Sequence, residues 1–282
     1  MPEIADRIAV AKSLATGVRK YVGRLDSQQL SRPSACAEWQ IADVFSHLIG
    51  GAERQTESMR RGRAGDAGPP AGFVPLPSAE LSAVNARRDI GRREQLGNDI
   101  LRAYDSAYDE LHRELAGFGP DDWETPCWHL QRGAMPAAEY VELRIQELAV
   151  HDWDIRSALE PEATIAADSL SALFNMSPRW LGMCFRPDPK FESNVVYRFD
   201  IGRDQSRSFV GMLVVTVEGD RFDFSNETGS EATSVVASCE ASEYFLFTYG
   251  RRSAAEGLRS GKLKASGDIT LLERFEEWFR GL

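Results

Sequence analysis

The strongest constraint on the fold is a change in the spacing of apolar residues near residue 160. Before it, apolar residues recur every three to four positions, as in EIADRIAVAKSLATGVRKYVGRL at 3–25, which is typical of amphipathic helices. After it, short runs such as NVVYRFDIG at 194–202 are rich in β-branched and aromatic residues and are separated by turn residues, which is typical of strands. The linker-like EPEAT lies between the two patterns at 160–164. The sequence therefore predicts an α+β protein of two domains, residues 1–161 and 162–282.

The N-terminal domain is predicted to contain four long helices. They cover about residues 3–25, 40–61, 79–116 and 135–160, and the third has possible breaks at Gly91 and Gly97. The segment 62–78, GRAGDAGPPAGFVPLPS, is rich in glycine and proline and predicts a long loop, and 117–133 is irregular. Four long helices with one long connection predict a four-helix bundle.

The C-terminal domain is predicted to combine helices with strands. A helix at 165–185 precedes strands at 194–202, 207–219, 220–226 and 231–239, and Gly219-Asp220 predicts a hairpin turn. Helical patterns follow at 241–252 and 269–281, on either side of the short segment GKLKASGD.

Charge and composition limit the classes of function. A net charge of −10 and a pI near 5.1, without a concentrated basic face, argue against a nucleic-acid partner. No apolar run approaches the roughly 20 residues of a membrane span, and the amphipathic N-terminus does not resemble a signal peptide. The cysteines are widely separated and predict free thiols in a reducing compartment. We expect a cytoplasmic protein, a monomer or a weak homo-oligomer. The cysteines are Cys36, Cys127, Cys184 and Cys239.

Three polar residues share one face of the fourth helix. Glu147, His151 and Asp154 are separated by four and then three residues, a spacing that stacks side chains along a helix. Apolar residues flank this stripe on both sides, which predicts that it faces inward. The alternative is an exposed Glu–His pair with Arg144 one turn earlier, which is common on helix surfaces and contributes little.

A histidine on the second helix favours the inward alternative. His47 lies among apolar residues in WQIADVFSHLIGG, and on its own it would more often be a hydrogen-bonded core histidine. In a bundle, however, His47 can face Glu147 and His151, giving two histidines and one carboxylate. Such a set explains why buried polar groups converge, and it leaves a metal position open, as in catalytic sites. Zn²⁺ suits these ligands, as do Fe²⁺ and Ni²⁺, and Asp154 would orient a ligand histidine.

These motifs resemble those of a known family. CAEWQIADVFSHL is similar to the C-x-x-W…H-L signature of DinB-like four-helix bundles, and RIQELAVHDWD is similar to their R-x-x-E-x-x-x-H-x-x-D signature. In order, and followed by TYGRR and GKLKASGD, they resemble the mycothiol-dependent maleylpyruvate isomerase family, whose C-terminal domain is of the sterol carrier protein type. The resemblance covers most of the chain.

The resemblance implies zinc bound by His47, Glu147 and His151, with mycothiol as thiol co-substrate. It also implies that an arginine of the C-terminal domain, in a Gly-Arg turn, reaches the active site, which indicates Arg251, although Arg252 follows directly. Cys36 is interpreted as structural. Thiolate addition to an electrophile, giving cis–trans isomerisation or S-transfer, is the expected chemistry. The alternatives are a non-catalytic binder of metal or apolar ligands and a thiol-independent metallohydrolase.

Overall fold

The chain divides into two compact units, Met1–Ala163 and Thr164–Leu282. The structure is a computed structural model that describes residues 4–75, 78–188, 194–202, 211–227 and 232–281, without the side chains of residues 78, 79, 81 and 82. The first unit is mainly helical and the second contains a five-stranded sheet, so the predicted α+β class is confirmed. No helix in the described ranges has the length and apolar character needed to cross a bilayer.

The long helices of the first unit surround a central one. Its helices are α1 (Ile4–Val22), α2 (Ser27–Leu30), α3 (Ile41–Arg63), α4 (Ser78–Leu96), α5 (Ile100–Ala116) and α6 (Ala137–Arg156). The central helix α3 packs against α4, α5 and α6, while α1 packs against α5 and α6. Helices α1, α3, α5 and α6 therefore form the four-helix arrangement expected from the sequence, with α4 added against α3.

The third predicted helix is divided into α4 and α5. A 3-10 turn at Gly97–Asp99 separates them, and Gly97 has a φ of +50°, a conformation that glycine adopts more readily than other residues. Of the two possible breaks, the one at Gly97 is therefore the real one, and α4 continues through Gly91.

The irregular segment before α6 contains a hairpin that the sequence did not predict. Strands β1 (Pro126–His129) and β2 (Gly133–Pro136) pair antiparallel, with Gly133 at a φ of +70° in the turn. The hairpin lies against the C-terminal part of α3, where Ser58 donates a hydrogen bond of 2.7 Å to the carbonyl oxygen of Trp128. Helix α6 starts directly after the hairpin, at Ala137 rather than at the predicted residue 135.

The second unit is built on a mixed sheet. Its elements are α7 (Leu170–Cys184), β3 (Asn194–Gly202), β4 (Gly211–Glu218), β5 (Arg221–Ser225), β6 (Val235–Glu240), α8 (Ala241–Thr248), α9 (Ala254–Ser260), β7 (Leu263–Gly267) and α10 (Leu271–Trp278). The strand order is β5-β4-β3-β6-β7, and only the β3–β6 pair is parallel among the described strands.

The strand pattern of the sequence is largely reproduced in this sheet. Gly219, at a φ of +57°, turns β4 into β5, as the predicted hairpin requires. Tyr197 and Phe199 lie two residues apart on β3, so both are on the same face of the sheet, and both of these buried rings contact Phe275 of α10. Strand β7 was not predicted, because GKLKASGD is short and carries little apolar pattern. Residues 207–210 and 231 of the predicted strands lie outside the described residues.

Candidate metal centre

Helix α3 places His47 against a buried carboxylate of α4. The Nδ1 atom of His47 lies 2.8 Å from Oδ2 of Asp89, whose side chain is 0% exposed. A carboxylate only accepts hydrogen bonds, so Nδ1 of His47 carries a proton and donates it to Asp89. This leaves Nε2 as the ring atom that faces α6.

Helix α6 brings Glu147 and His151 to the same point. Oε2 of Glu147 is 3.0 Å from Nε2 of His47 and 3.7 Å from Nε2 of His151. Donor atoms of these three side chains all lie within 4.8 Å of one another. The histidine side chains are 12% exposed and that of Glu147 is 29% exposed, so the stripe lies inward rather than on the surface.

Asp154 holds the ring of His151 in the way that Asp89 holds that of His47. Nδ1 of His151 lies 2.8 Å from Oδ2 of Asp154, which is fully buried. The thiol of Cys36 donates to the same oxygen at 3.0 Å, and its sulfur is 3.8 Å from Nδ1 of His151. Both imidazoles are thus oriented by carboxylates through Nδ1, and both present Nε2 to Glu147.

The charges in this cluster stabilise one another. Burial lowers the pKa of His47, but its hydrogen bonds to Asp89 and Glu147 outweigh burial and raise the pKa above its usual value. Burial also opposes protonation of His151, yet the bonds to Asp154 and Cys36 raise its pKa to about 9. Burial disfavours a charged Glu147, but the hydrogen bond to His47 and the charges of both histidines hold its pKa well below its usual range.

The loop before α3 covers the two histidines. The backbone N–H of Ala35 donates to the carbonyl oxygen of Asp154 at 3.2 Å, which fixes the loop to α6. Glu38 adopts a φ of +68°, and α3 begins three positions further on, at Ile41. The ring of Trp39 then lies with its centroid 5.1 Å from that of His47 and 6.2 Å from that of His151. The C-x-x-W segment therefore supplies both an aromatic cover and the thiol that contacts Asp154.

The sequence did not predict that Asp89 and Arg144 lie buried near the cluster. Asp89 belongs to NARRDIG, where neighbouring charges hide any inward pattern, and its partner Arg88 donates to it at 2.9 and 2.8 Å. Arg144 is not a surface partner of Glu147. It is 5% exposed, and its Nε donates to Oε1 of Gln55 at 2.8 Å.

The donor atoms fit a divalent metal. A cation that displaces the protons from both Nε2 atoms would meet two imidazole nitrogens and one carboxylate, and both rings are fixed through Nδ1 in the way that carboxylates orient histidine ligands. A second group, Cys36, His151 and Asp154, also brings donor atoms within 4.8 Å of one another. In that group the thiol and Nδ1 of His151 are both bound to Asp154, so its atoms already satisfy one another.

In the second unit, the two candidate arginines have different surroundings. Arg252 forms an ion pair with Glu243, with 3.0 Å between Nε and Oε2, and Glu243 also lies 3.7 Å from Nζ of Lys262. Arg251 donates from Nη1 to the carbonyl oxygen of Tyr249 at 3.1 Å. Gly250, just before them, has a φ of +69°, which makes the turn.

Comparison with known proteins assigns the family. A family model described as the mycothiol maleylpyruvate isomerase N-terminal domain matches residues 12–156, about half of the chain. The chain belongs to this family. The crystal structure of the mycothiol-dependent maleylpyruvate isomerase aligns with 94% of this chain and 93% of its own, with a TM-score of 0.63 and 15% identity. A histidine-to-alanine mutant of that enzyme gives a TM-score of 0.62 at the same identity and coverage. At this identity the likeness shows the fold.

The sequence relatives match only a part of the chain. Two uncharacterized proteins from two strains of Mycobacterium tuberculosis are 24% identical over 152 residues, which is 52% of this chain and 65% of theirs. The chain therefore spans less than two thirds of the length of these relatives.

Proposed function

We propose that the protein is a metal-dependent enzyme that adds the thiolate of a low-molecular-weight thiol, mycothiol, to an electrophilic substrate. The observation that carries the proposal is the convergence of His47 and His151 on Glu147, with each ring fixed by a carboxylate. Family membership supports mycothiol as the thiol. The proposed metal is zinc, and the same ligands also suit Fe²⁺ or Ni²⁺.

The protein's own groups prepare the site for a cation. His47, Glu147 and His151 are the proposed ligands, and Asp89 and Asp154 keep both Nε2 lone pairs directed at the same point. Trp39 limits access of water to the imidazoles. When bound there, a divalent metal lowers the pKa of a coordinated thiol, so that the nucleophilic thiolate is present at neutral pH.

The reaction itself begins with attack of the thiolate on an electrophilic carbon of the substrate. If the adduct rotates about the former double bond and expels the thiol, the net reaction is cis–trans isomerisation. If the adduct persists, the net reaction is S-transfer. Arg251 is proposed to pair with a substrate carboxylate and to stabilise the developing enolate charge. Arg252, in contrast, forms an ion pair with Glu243 within its own unit.

Metal analysis tests the ligand set. Wild type should bind one divalent metal per chain, and His47→Ala and His151→Ala should each lose most of it because two ligands leave the cation poorly coordinated. His112→Ala is the matched control, since His112 lies on α5 outside the cluster. Stoichiometric metal in His151→Ala would remove His151 from the ligand set, and full occupancy in His47→Ala would contradict a site shared by α3 and α6.

Turnover of a panel of electrophiles, with and without mycothiol, tests the reaction. The proposal requires that turnover depend on the thiol and on the metal together. Metal-dependent turnover without the thiol would favour the metallohydrolase instead. Stoichiometric metal without turnover of any substrate would favour the non-catalytic binder.

A further inference from the structure

Two adjacent glycines follow His47 by one helical turn, and arginine side chains occupy the space beside them. A Cβ atom at position 50 would lie 2.9 Å from Nη1 of Arg54 and 3.0 Å from Nε of Arg92. A Cβ atom at position 51 would lie 2.7 Å from Nη1 of Arg144. The missing side chains therefore let guanidinium groups from α3, α4 and α6 approach the backbone of α3 next to the candidate metal centre.

These arginines differ in whether a carboxylate neutralises them. Arg92 is paired with Glu53, and Arg88 with Asp89. In contrast, neither Arg54 nor Arg144 has a carboxylate within 4.0 Å among the residues that the structure describes. Arg144 is 5% exposed, donates to the neutral Gln55 and lies beside the neutral hydroxyl of Tyr108, and its buried Nη1 atom forms no hydrogen bond with any residue that the structure describes. Burying a guanidinium in this way is costly unless an anion compensates it.

The surroundings of this pair carry an excess of positive charge. Burial lowers the pKa of Arg54 to about 10, and the charges of Arg88 and Arg144 add to the effect, while Asp89 opposes it. Burial likewise lowers the pKa of His129 in the neighbouring hairpin to about 4. Arg132, Arg144 and Arg54 contribute to that lowering, and Glu147 opposes it. The charge of Arg144 thus acts on groups of two separate elements, Arg54 on α3 and His129 in the hairpin.

The position of Arg54 directs it toward the candidate metal centre. Arg54 follows His47 by seven residues, so both lie on one face of α3 about two turns apart. The contact of its Nη1 atom with Gly50 shows that the side chain extends back along α3 toward His47. Arg54 is partly exposed, whereas Arg144 is buried behind Gly51.

We propose that Arg54, with Arg144 behind it, binds the carboxylate of a small-molecule ligand beside the candidate metal centre. Arg54 makes the direct contact through its planar guanidinium, which matches both oxygens of a carboxylate. Arg144 makes no contact with the ligand and supplies the second positive charge. This site lies within the bundle and is separate from the role proposed for Arg251. It stands without the thiol chemistry, because an anion can bind when no thiol is present.

Calorimetric titration of succinate into the metal-loaded full-length protein, without thiol, tests the site. Loss of a charge-assisted contact should weaken succinate binding about ten- to hundredfold in Arg54→Gln. Arg54→Lys should lose much of the affinity too, because an ammonium group does not reproduce the bidentate contact. Arg60→Gln is the matched control on the same helix, since Arg60 is exposed and paired with Glu110, and it should bind as wild type does.

Gly50→Ala tests the geometry without changing any charge. The new methyl group displaces the Arg54 and Arg92 side chains, so succinate binding should weaken while metal content and folding are retained. Equal succinate affinity in wild type, Arg54→Gln and Arg54→Lys would overturn the proposal and assign the anion to the metal. Absence of binding to wild type at concentrations up to about tens of millimolar, weaker than a charge-assisted contact allows, would overturn it as well. Neither result would decide whether the protein has thiol-dependent turnover, which is tested separately.

Discussion

At the scale of single residues, each histidine of the candidate metal centre is fixed by its own carboxylate. Asp89 and Asp154 lie on different helices, yet each accepts from Nδ1 at 2.8 Å and each is fully buried. One carboxylate at each ring has a physical reason, because an imidazole that can rotate about its side-chain bonds could present either nitrogen to a cation. With both Nδ1 atoms occupied, only the Nε2 lone pairs remain for a cation.

Replacing these carboxylates should weaken metal binding without removing a ligand. We expect Asp154→Asn and Asp89→Asn each to lower metal affinity by roughly 10–100-fold, because an amide orients the ring less strongly and adds no negative charge. Competition with a chromophoric chelator measures the affinity, and far-UV circular dichroism checks folding. Asp105→Asn is the control, since Asp105 pairs with Arg19 away from the cluster. Unchanged affinity in Asp154→Asn would assign Asp154 to an ordinary structural contact.

His129 should make stability fall in mild acid. Burial first, and then the charge of Arg132, lower its pKa to about 4 in the folded state, whereas an unfolded histidine titrates near pH 6.5. The unfolded chain therefore binds the extra proton first as the pH falls. The stability contributed by the neutral ring is present above about pH 6.5 and is progressively lost toward pH 4.

Urea unfolding at pH 7 and pH 5, in wild type and His129→Gln, measures this contribution. The free energy of unfolding of wild type should drop by roughly 1–2 kcal/mol more than that of the variant between the two pH values. Comparing the two proteins cancels the titration of all other groups. Parallel pH dependence in both would show that folding does not lower the pKa of His129.

At the scale of elements, the contact between α3 and the β1–β2 hairpin depends on Gly62. A Cβ atom there would lie 2.6 Å from the carbonyl oxygen of Pro126 and 3.0 Å from the sulfur of Cys127. The backbone contact cannot relax by a simple side-chain rotation, so Gly62→Ala should destabilise the protein by about 1–3 kcal/mol despite alanine's better helix propensity.

Gly91 is the matched control for that substitution. It is also helical, but a Cβ atom there would meet nothing within 4 Å. Gly91→Ala should therefore stabilise the protein by about 0.5–1 kcal/mol. Chemical denaturation measures the free energy of unfolding of the two variants. An equal increase in both would contradict a close contact between α3 and the hairpin.

Elements whose signal is local could be predicted from the sequence, and elements defined by distant contacts could not. The i, i+4 spacing of Glu147 and His151 already places them on one face of a helix, and the apolar neighbours of His47 turn it inward. Asp89 had no such signal, because it follows two arginines and only the packing of α4 against α3 buries it. Strand β7 is likewise defined by its pairing with β6 rather than by its own residues.

At the scale of the whole molecule, the proposed function assigns chemistry to both units. The proposed metal ligands belong to the unit that the family model matches, and Arg251 belongs to the unit that carries the sheet. Within its own unit Arg252 has a structural role, because it neutralises Glu243, which is 8% exposed. We therefore expect replacement of Arg251 to change the kinetics and replacement of Arg252 to change the stability.

Arg251→Ala should lower kcat/KM strongly, while metal content and unfolding temperature stay near those of wild type. Arg251→Lys should already lose much of the rate, because a point charge does not reproduce a bidentate carboxylate contact. Arg252→Ala should instead lower the unfolding temperature, since it removes the ion pair of the buried Glu243 and leaves the longer contact with Lys262, and it should retain near-normal kinetics. Steady-state kinetics and thermal unfolding of the three variants measure both properties.

The kinetic constants also show what Arg251 contributes. A contact made mainly in the transition state lowers kcat and kcat/KM together, whereas a contact that only holds the substrate raises KM alone. Wild-type kinetics in Arg251→Ala with an inactive but stably folded Arg252→Ala would move the role to Arg252. If both alanine variants turn over substrate normally, neither arginine contacts it, and the chemistry belongs to the helical unit with its own cations, of which Arg54 is the one we place beside the candidate metal centre.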